Sequence, residues 1–353
     1  ASTYTGTVAF VGTTLANVTI NDSGAFDLAA LTITNNLSVT AGGAVTQSGA
    51  LVIPGTTTVS ASGFDVTLAT ASNNFTGAVA VTGANVQLVD AGAIVLGAST
   101  VSGTYSVIAT AGGGITQTGA LAITGASTFQ ADTSNDITLT TTTNNFAAAV
   151  GITSGQNVGL TDAGAIVLGA STVSGTYSVI ATAGGGITQT GALAITGAST
   201  FQADTSNDIT LTTTTNNFAA AVGITSGQNV QLVDAGAIDL GASTVSGTYA
   251  VTATTGGDIT DSGVLAITGN STFTAANGQS IDLGSASTYT GTVAFVGTTL
   301  ANVTINDSGA FDLAALTLTN NLSVTAGGAV TQSGALVIPG TTTVSASGFD
   351  VTL

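Results

Sequence analysis

The groups in this chain best placed to do chemistry are carboxylates, and they recur. All 17 acidic residues are Asp, while Lys, Arg, His and Cys do not occur. One frame can be followed at Asp22, Asp90, Asp162, Asp234 and Asp307, at spacings of 68, 72, 72 and 73. Carboxylates aligned without counter-cations attract hard cations, so Asp90, Asp162 and Asp234 are candidate calcium ligands between stacked turns. The Gly-Gly-x-Gly-x-Asp nonapeptide of calcium-loaded rolls is missing, however, and Asp at a strand boundary ordinarily caps a turn through the backbone. The expectation is therefore turn capping and no cofactor, with calcium as the alternative.

Other chemistries lose their parts. Ser or Thr nucleophiles need a base, and neither His nor Lys is there to supply one. Glycoside hydrolysis needs two carboxyl groups across a cleft, and carboxylates that repeat with the sequence would make several such sites at once. The chain is therefore not expected to be an enzyme. A net charge of −17 with no cationic side chain removes the means of displacing phosphate counterions or of docking on anionic lipid, so neither nucleic acid nor a membrane surface is a partner. Mean hydropathy is +0.55, yet no stretch long enough for a spanning helix is free of polar side chains.

What positions these residues is a repeat. Residues 1–68 return as 286–353 with one change, Ile33 to Leu318, and Asp90–Thr161 returns as Asp162–Val233 with two. The chain reads as one continuous array over 1–353 in blocks of 22–89, 90–161, 162–233 and 234–306, with 286–353 repeating the beginning. Each block divides into three units of about two dozen residues, the length of one solenoid turn. Within a unit apolar residues alternate, as in Leu121 and Ile123 around Ala122 or Ile137 and Leu139 around Thr138. Period two, rich Thr, Val and Ile, and 48 Gly specify short strands between turns. The fold predicted is all-β: a parallel β-helix, or β-solenoid, of about 15 turns with roughly three short strands per turn. Its core would be ladders of like residues, such as Ile94, Ile166 and Ile238, or Phe129 and Phe201.

Two outward-looking patterns accompany this core. Asn73-Asn74, Asn144-Asn145 and Asn216-Asn217 each precede a Phe, and stacked copies would form an amide ladder with Phe75, Phe146 and Phe218 turned inward. The Thr-rich runs 138–143 and 210–215 could array hydroxyls on one flat face, which is the basis for an ice-binding alternative. Asn17, Asn74 and Asn270 stand in glycosylation sequons, relevant only in a cell that modifies them.

The segments beginning at Gly114, Asn73 and Asp90 resemble the β-strand repeats of giant bacterial surface proteins related to filamentous haemagglutinin. The resemblance spans the whole sequence and implies a right-handed coil, secretion across a Gram-negative envelope, and service as an adhesin shaft or surface fibre. The expected function is thus a structural extracellular or cell-surface fibre. An ice- or polysaccharide-binding surface on the same coil is the alternative. Its expected partner is itself, through covalent continuation or end-to-end stacking. Zero Cys removes disulfide stapling, and the lack of Lys and Arg removes trypsin-type cleavage sites.

Overall fold

The computed structural model describes residues 1–12 and 14–353. Among them there is no helix, and every strand pairing is parallel. The chain forms two compact units, residues 1–175 and 176–353, and each is a β-solenoid.

The alternation read from sequence becomes an inside and an outside. Tyr105, Val107 and Ala109 of one strand are buried while Ser106 and Ile108 between them are only partly covered. A turn typically carries three strands: between Val86–Asp90 and the strand it pairs with, Tyr105–Ala109, lie Ile94–Leu96 and Ser99–Val101. Turns vary in length, from the step that joins Val79 to Leu96 to the longer one that joins Ser127 to Val150, and only the longest reach the two dozen expected. Turns of unequal length keep register because the extra residues leave at corners, where each turn needs only to return its strands to the ladder.

Glycine makes some of these corners possible. Gly112, Gly184 and Gly256 occupy one position of three blocks with φ of 72°, 69° and 64°, a left-handed conformation that a side chain resists. The next residue, Gly113, passes so close to the preceding turn that a Cβ would lie 2.0 Å from the Gly92 carbonyl carbon.

The core ladders form between consecutive turns, not between equivalent positions of successive blocks. Ile94 stacks on Ile115, Ile137 and Val158; in the second unit Ile238 stacks on Ile259, Ile281 and Val303. The expected column of Ile94, Ile166 and Ile238 is therefore corrected, and the reason is that a block does not hold a whole number of turns. Val79–Gly83 pairs with both Ile94–Leu96 and Ser99–Val101, so at that point a turn closes with two strands instead of three. Following the register, four steps lead from Val18 through Leu37, Thr57 and Val79 to Leu96, and three more lead from Ile94 to Val158. Two blocks thus take about seven turns, and one block advances about three and a half. Copies consequently alternate between the two long sheets. In the first unit Val18–Asp22 and Val158–Asp162 lie on one sheet and Val86–Asp90 on the other; in the second, Val230–Asp234 and Val303–Asp307 lie on different sheets.

Candidate functional site

Polar side chains buried in a β-solenoid need partners, and the largest set of them converges on one corner of each block. Asn73, Asn144 and Asn216 are fully buried, whereas Asn74, Asn145 and Asn217 are exposed. The two members of each pair thus point to opposite sides, as strand alternation requires. Phe75, Phe146 and Phe218 turn inward and are buried. The copies do not stack as an amide ladder, because successive blocks are more than three turns apart.

Each buried Asn instead ties three consecutive turns. Asn144 exchanges two hydrogen bonds with Gln117 of the turn before: Gln117 Nε2 donates to its Oδ1 at 2.8 Å, and its Nδ2 donates to Gln117 Oε1 at 2.9 Å. The same Oδ1 accepts the Leu121 N–H at 3.0 Å, while Nδ2 also reaches the Leu139 carbonyl in its own turn and that of Thr161 in the next. Asn73 does the same with Gln47, Leu51, Leu68 and Val89, and Asn216 with Gln189, Leu193, Leu211 and Val233. Full satisfaction at zero exposure is what makes a polar group tolerable there.

The three calcium candidates complete this corner. Asp90, Asp162 and Asp234 are buried, and each uses both carboxylate oxygens on backbone. Asp90 Oδ2 accepts the Phe75 N–H of the preceding turn at 2.6 Å, and its Oδ1 accepts the Gly92 N–H at 2.6 Å. Asp162 holds Phe146 and Gly164, and Asp234 holds Phe218 and Gly236, at 2.6 to 2.7 Å. Burial pushes all three carboxyl groups above the ordinary 3.8, since loss of water outweighs the two donated hydrogen bonds. Among the described residues, no three Asp side chains come together as a metal site would need.

A second set of Asn and Asp, which the sequence did not mark as a ladder, links successive turns as the pairs do not. At an exposed corner of the first unit, Asn17 Oδ1 accepts the Asn36 N–H at 3.1 Å and Asn36 Oδ1 accepts the Thr56 N–H at 2.8 Å. Asp65, Asn85 and Thr104 repeat the arrangement. In the second unit Asp208, Asn229 and Thr248 do so, as do Asn302, Asn321 and Thr341. The signal available beforehand was an Asn or Asp directly before a strand's first apolar residue, at intervals of about one turn. A groove of about 440 Å³ runs beside the second-unit corner, with Asp258, Ser280, Asp282, Asn302 and Asn321 in its wall. The Thr run 138–143 makes no flat array. The strand stops at Leu139, the remaining threonines pass round a corner, and Thr138 has Gly159 as its neighbour on the next turn.

Buried rings pack alongside the amide corner. Tyr105, Phe129 and Phe146 meet edge to face at 6.0 and 6.2 Å, and Tyr177, Phe201 and Phe218 at 6.1 and 6.2 Å. The corner as a whole can hold turns at a fixed spacing and leaves its carboxylates engaged with backbone. A family described only as repeats of unknown function (DUF5649) matches residues 15–82, 83–153, 155–225, 227–296 and 300–353. The starts of those matches follow the same unequal spacing as the Asp frame. No curated protein matches the chain, and no solved structure does.

Proposed function

The chain belongs to this repeat family, and we propose that it works mechanically, as a length of extracellular or cell-surface fibre or adhesin shaft, and not as an enzyme. One observation carries the reading: the polar side chains gathered at the inner corner of three blocks, Gln117, Asn144 and Asp162 and their copies, spend hydrogen bonds joining consecutive turns. Side chains so engaged contribute stiffness along the stack and offer little to a substrate. Secretion to the outside is supported by composition, since a chain without Lys or Arg gives trypsin-like proteases no target and one without Met, Cys or Trp lacks the most oxidisable groups.

The test is mechanical and microscopic. Single molecules of several joined blocks should image as rods of constant width, and pulling should give evenly spaced rupture steps as turns peel away. Far-UV spectra without strand character, or compact images of random orientation, would overturn the reading. A second reading is a polysaccharide-binding surface on the same coil, favoured by the amide, hydroxyl and carboxylate wall of the groove at Asn302 and Asn321. Retention of the rod on immobilised glycans, lost in Asn302→Ala with Asn321→Ala, would favour it. The flat hydroxyl array that an ice-binding surface needs has no support in the Thr-rich runs, which turn a corner.

A further inference from the structure

One corner of the second unit departs from the pattern of its neighbour. In the frame of Gln189, Asn216 and Phe218 stand Asp261, Ser287 and Tyr289. The backbone correspondence is close: Ile195 pairs with Phe218 and Ile267 with Tyr289, and Tyr249, Phe273 and Tyr289 repeat the edge-to-face ring contacts at 6.1 and 6.3 Å. The Leu265 N–H donates to Ser287 Oγ at 2.9 Å, as the Leu193 N–H donates to Asn216 Oδ1 at 2.9 Å.

The side chains no longer satisfy one another. Ser287 is too short to exchange paired hydrogen bonds, and Asp261 has no N–H to offer. Asp261 Oδ1 accepts the Ser285 N–H at 3.1 Å, and the Ser285 hydroxyl and Gly284 N–H also favour its charged form, but no donor lies within hydrogen-bond distance of its buried Oδ2. Asp307, opposite Ser287 in register and 1% exposed, has both of its contacts on Oδ1, from Gly309 at 2.9 Å and Tyr289 at 3.4 Å. Its Oδ2 is likewise buried without a partner, whereas the corresponding Asp234 Oδ2 accepts the Phe218 N–H at 2.7 Å. Two carboxylate oxygens one turn to either side of Ser287 thus lack a donor that the neighbouring corner supplies.

We infer that Asp261 and Asp307 form a proton-operated latch: proton uptake on these carboxyl groups closes this corner, and their ionisation loosens it more than it loosens the Gln189–Asn216–Asp234 corner, where both Asp234 oxygens are hydrogen-bonded. The proton comes from solvent and returns to it, so no other reactant is needed. The surrounding titratable groups all act in one direction. Asp282, on the strand stacked against that of Asp261, repels its charge. Asp239, on the strand of the preceding turn, accepts from the Ser262 hydroxyl at 2.7 Å. Tyr249 and Tyr289 are neutral phenols held so by burial. No cation faces the pair, because the chain has no cationic side chain. Burial raises both carboxyl groups above 3.8. A raised folded value means stability is complete below the ordinary carboxylate range and is lost as pH rises through the raised value.

The experiment reads both corners in one molecule. Hydrogen exchange of the intact chain, followed by mass spectrometry, gives the protection of Leu265 and Tyr289 relative to Leu193 and Phe218, a ratio in which the intrinsic pH dependence of exchange cancels. The ratio should fall about tenfold as pH rises from 5 to 7. In Asp261→Gln with Ser287→Asn it should become independent of pH, with the Leu193 corner reporting that the variant is folded. A ratio that does not change with pH in the natural chain overturns the latch. So does pH dependence that survives in the variant, or recovery of protection at pH 7 on adding calcium without any response to pH.

Discussion

The corner built on Asn216 and the corner built on Ser287 share a backbone path and a stack of rings and differ in what fills the gap between turns. In the first, an amide pair and a carboxylate answer one another's hydrogen bonds; in the second, two carboxylate oxygens are buried without partners. The difference teaches that a parallel coil takes its shape from its ladder of strands and apolar rings. The polar corner then sets how firmly, and under which conditions, neighbouring turns are held.

The comparison can be broken most severely through the rings. Phe218→Ala should empty a buried site and cost about 3–5 kcal/mol in local opening free energy, measured by exchange of the flanking strands. Asn216→Ala should come next, at about 2–4 kcal/mol, because it strands the Leu193 N–H, the Leu211 and Val233 carbonyls and the Gln189 amide in the interior. The two corners would then resemble each other in exchange behaviour. Sharpening runs the other way: Asp261→Gln with Ser287→Asn should stabilise the second corner by about 1–2 kcal/mol at pH 7, read in the same measurement.

Smaller effects follow from charge and from a single oxygen. Because Asp90, Asp162, Asp234, Asp261 and Asp307 are all raised by burial, thermal unfolding should move to higher temperature as pH falls from 7 to 5, with the Asp261 corner changing most. Asp312, which accepts the Ser333 hydroxyl and that of Thr331 at 2.7 Å, is held below the ordinary range and works in the opposite direction. Tyr289→Phe should change stability least, by at most about 1 kcal/mol, because the hydroxyl it removes has only Ser287 near it, a change readable by denaturant titration.

The strand alternation around Leu121, Ile123, Ile137 and Leu139 was readable because burial on one face imposes a period of two, and the coil followed from the repeat. The inward turn of Phe75, Phe146 and Phe218 was readable for the same reason. The stacking partners were not. The offset between block copies suggests that Ile94 lies beneath Ile166, yet only the strand register shows that a block ends half a turn out of phase. The link from Asn144 to Gln117 was hidden likewise, because these partners, distant in sequence, are adjacent only once the length of the turn is known. The exchange of Gln189 for Asp261 then stands in plain view in the sequence but acquires meaning only beside Ser287.

The half-turn left over by each block has a consequence for anything that meets the array from the side. An array that keeps to this rule is a two-fold screw, in which each block is rotated by half a revolution as it advances along the axis. A feature that occurs once per block then appears first on one long sheet and next on the other, as Val18–Asp22, Val86–Asp90 and Val158–Asp162 do. Such a coil has no privileged side. A surface approaching either sheet meets the same motif at twice the block spacing, so contacts made from the two sides are equivalent and sparse. The odd half-turn thereby keeps nearly identical sequences from lining up one motif along a single sheet.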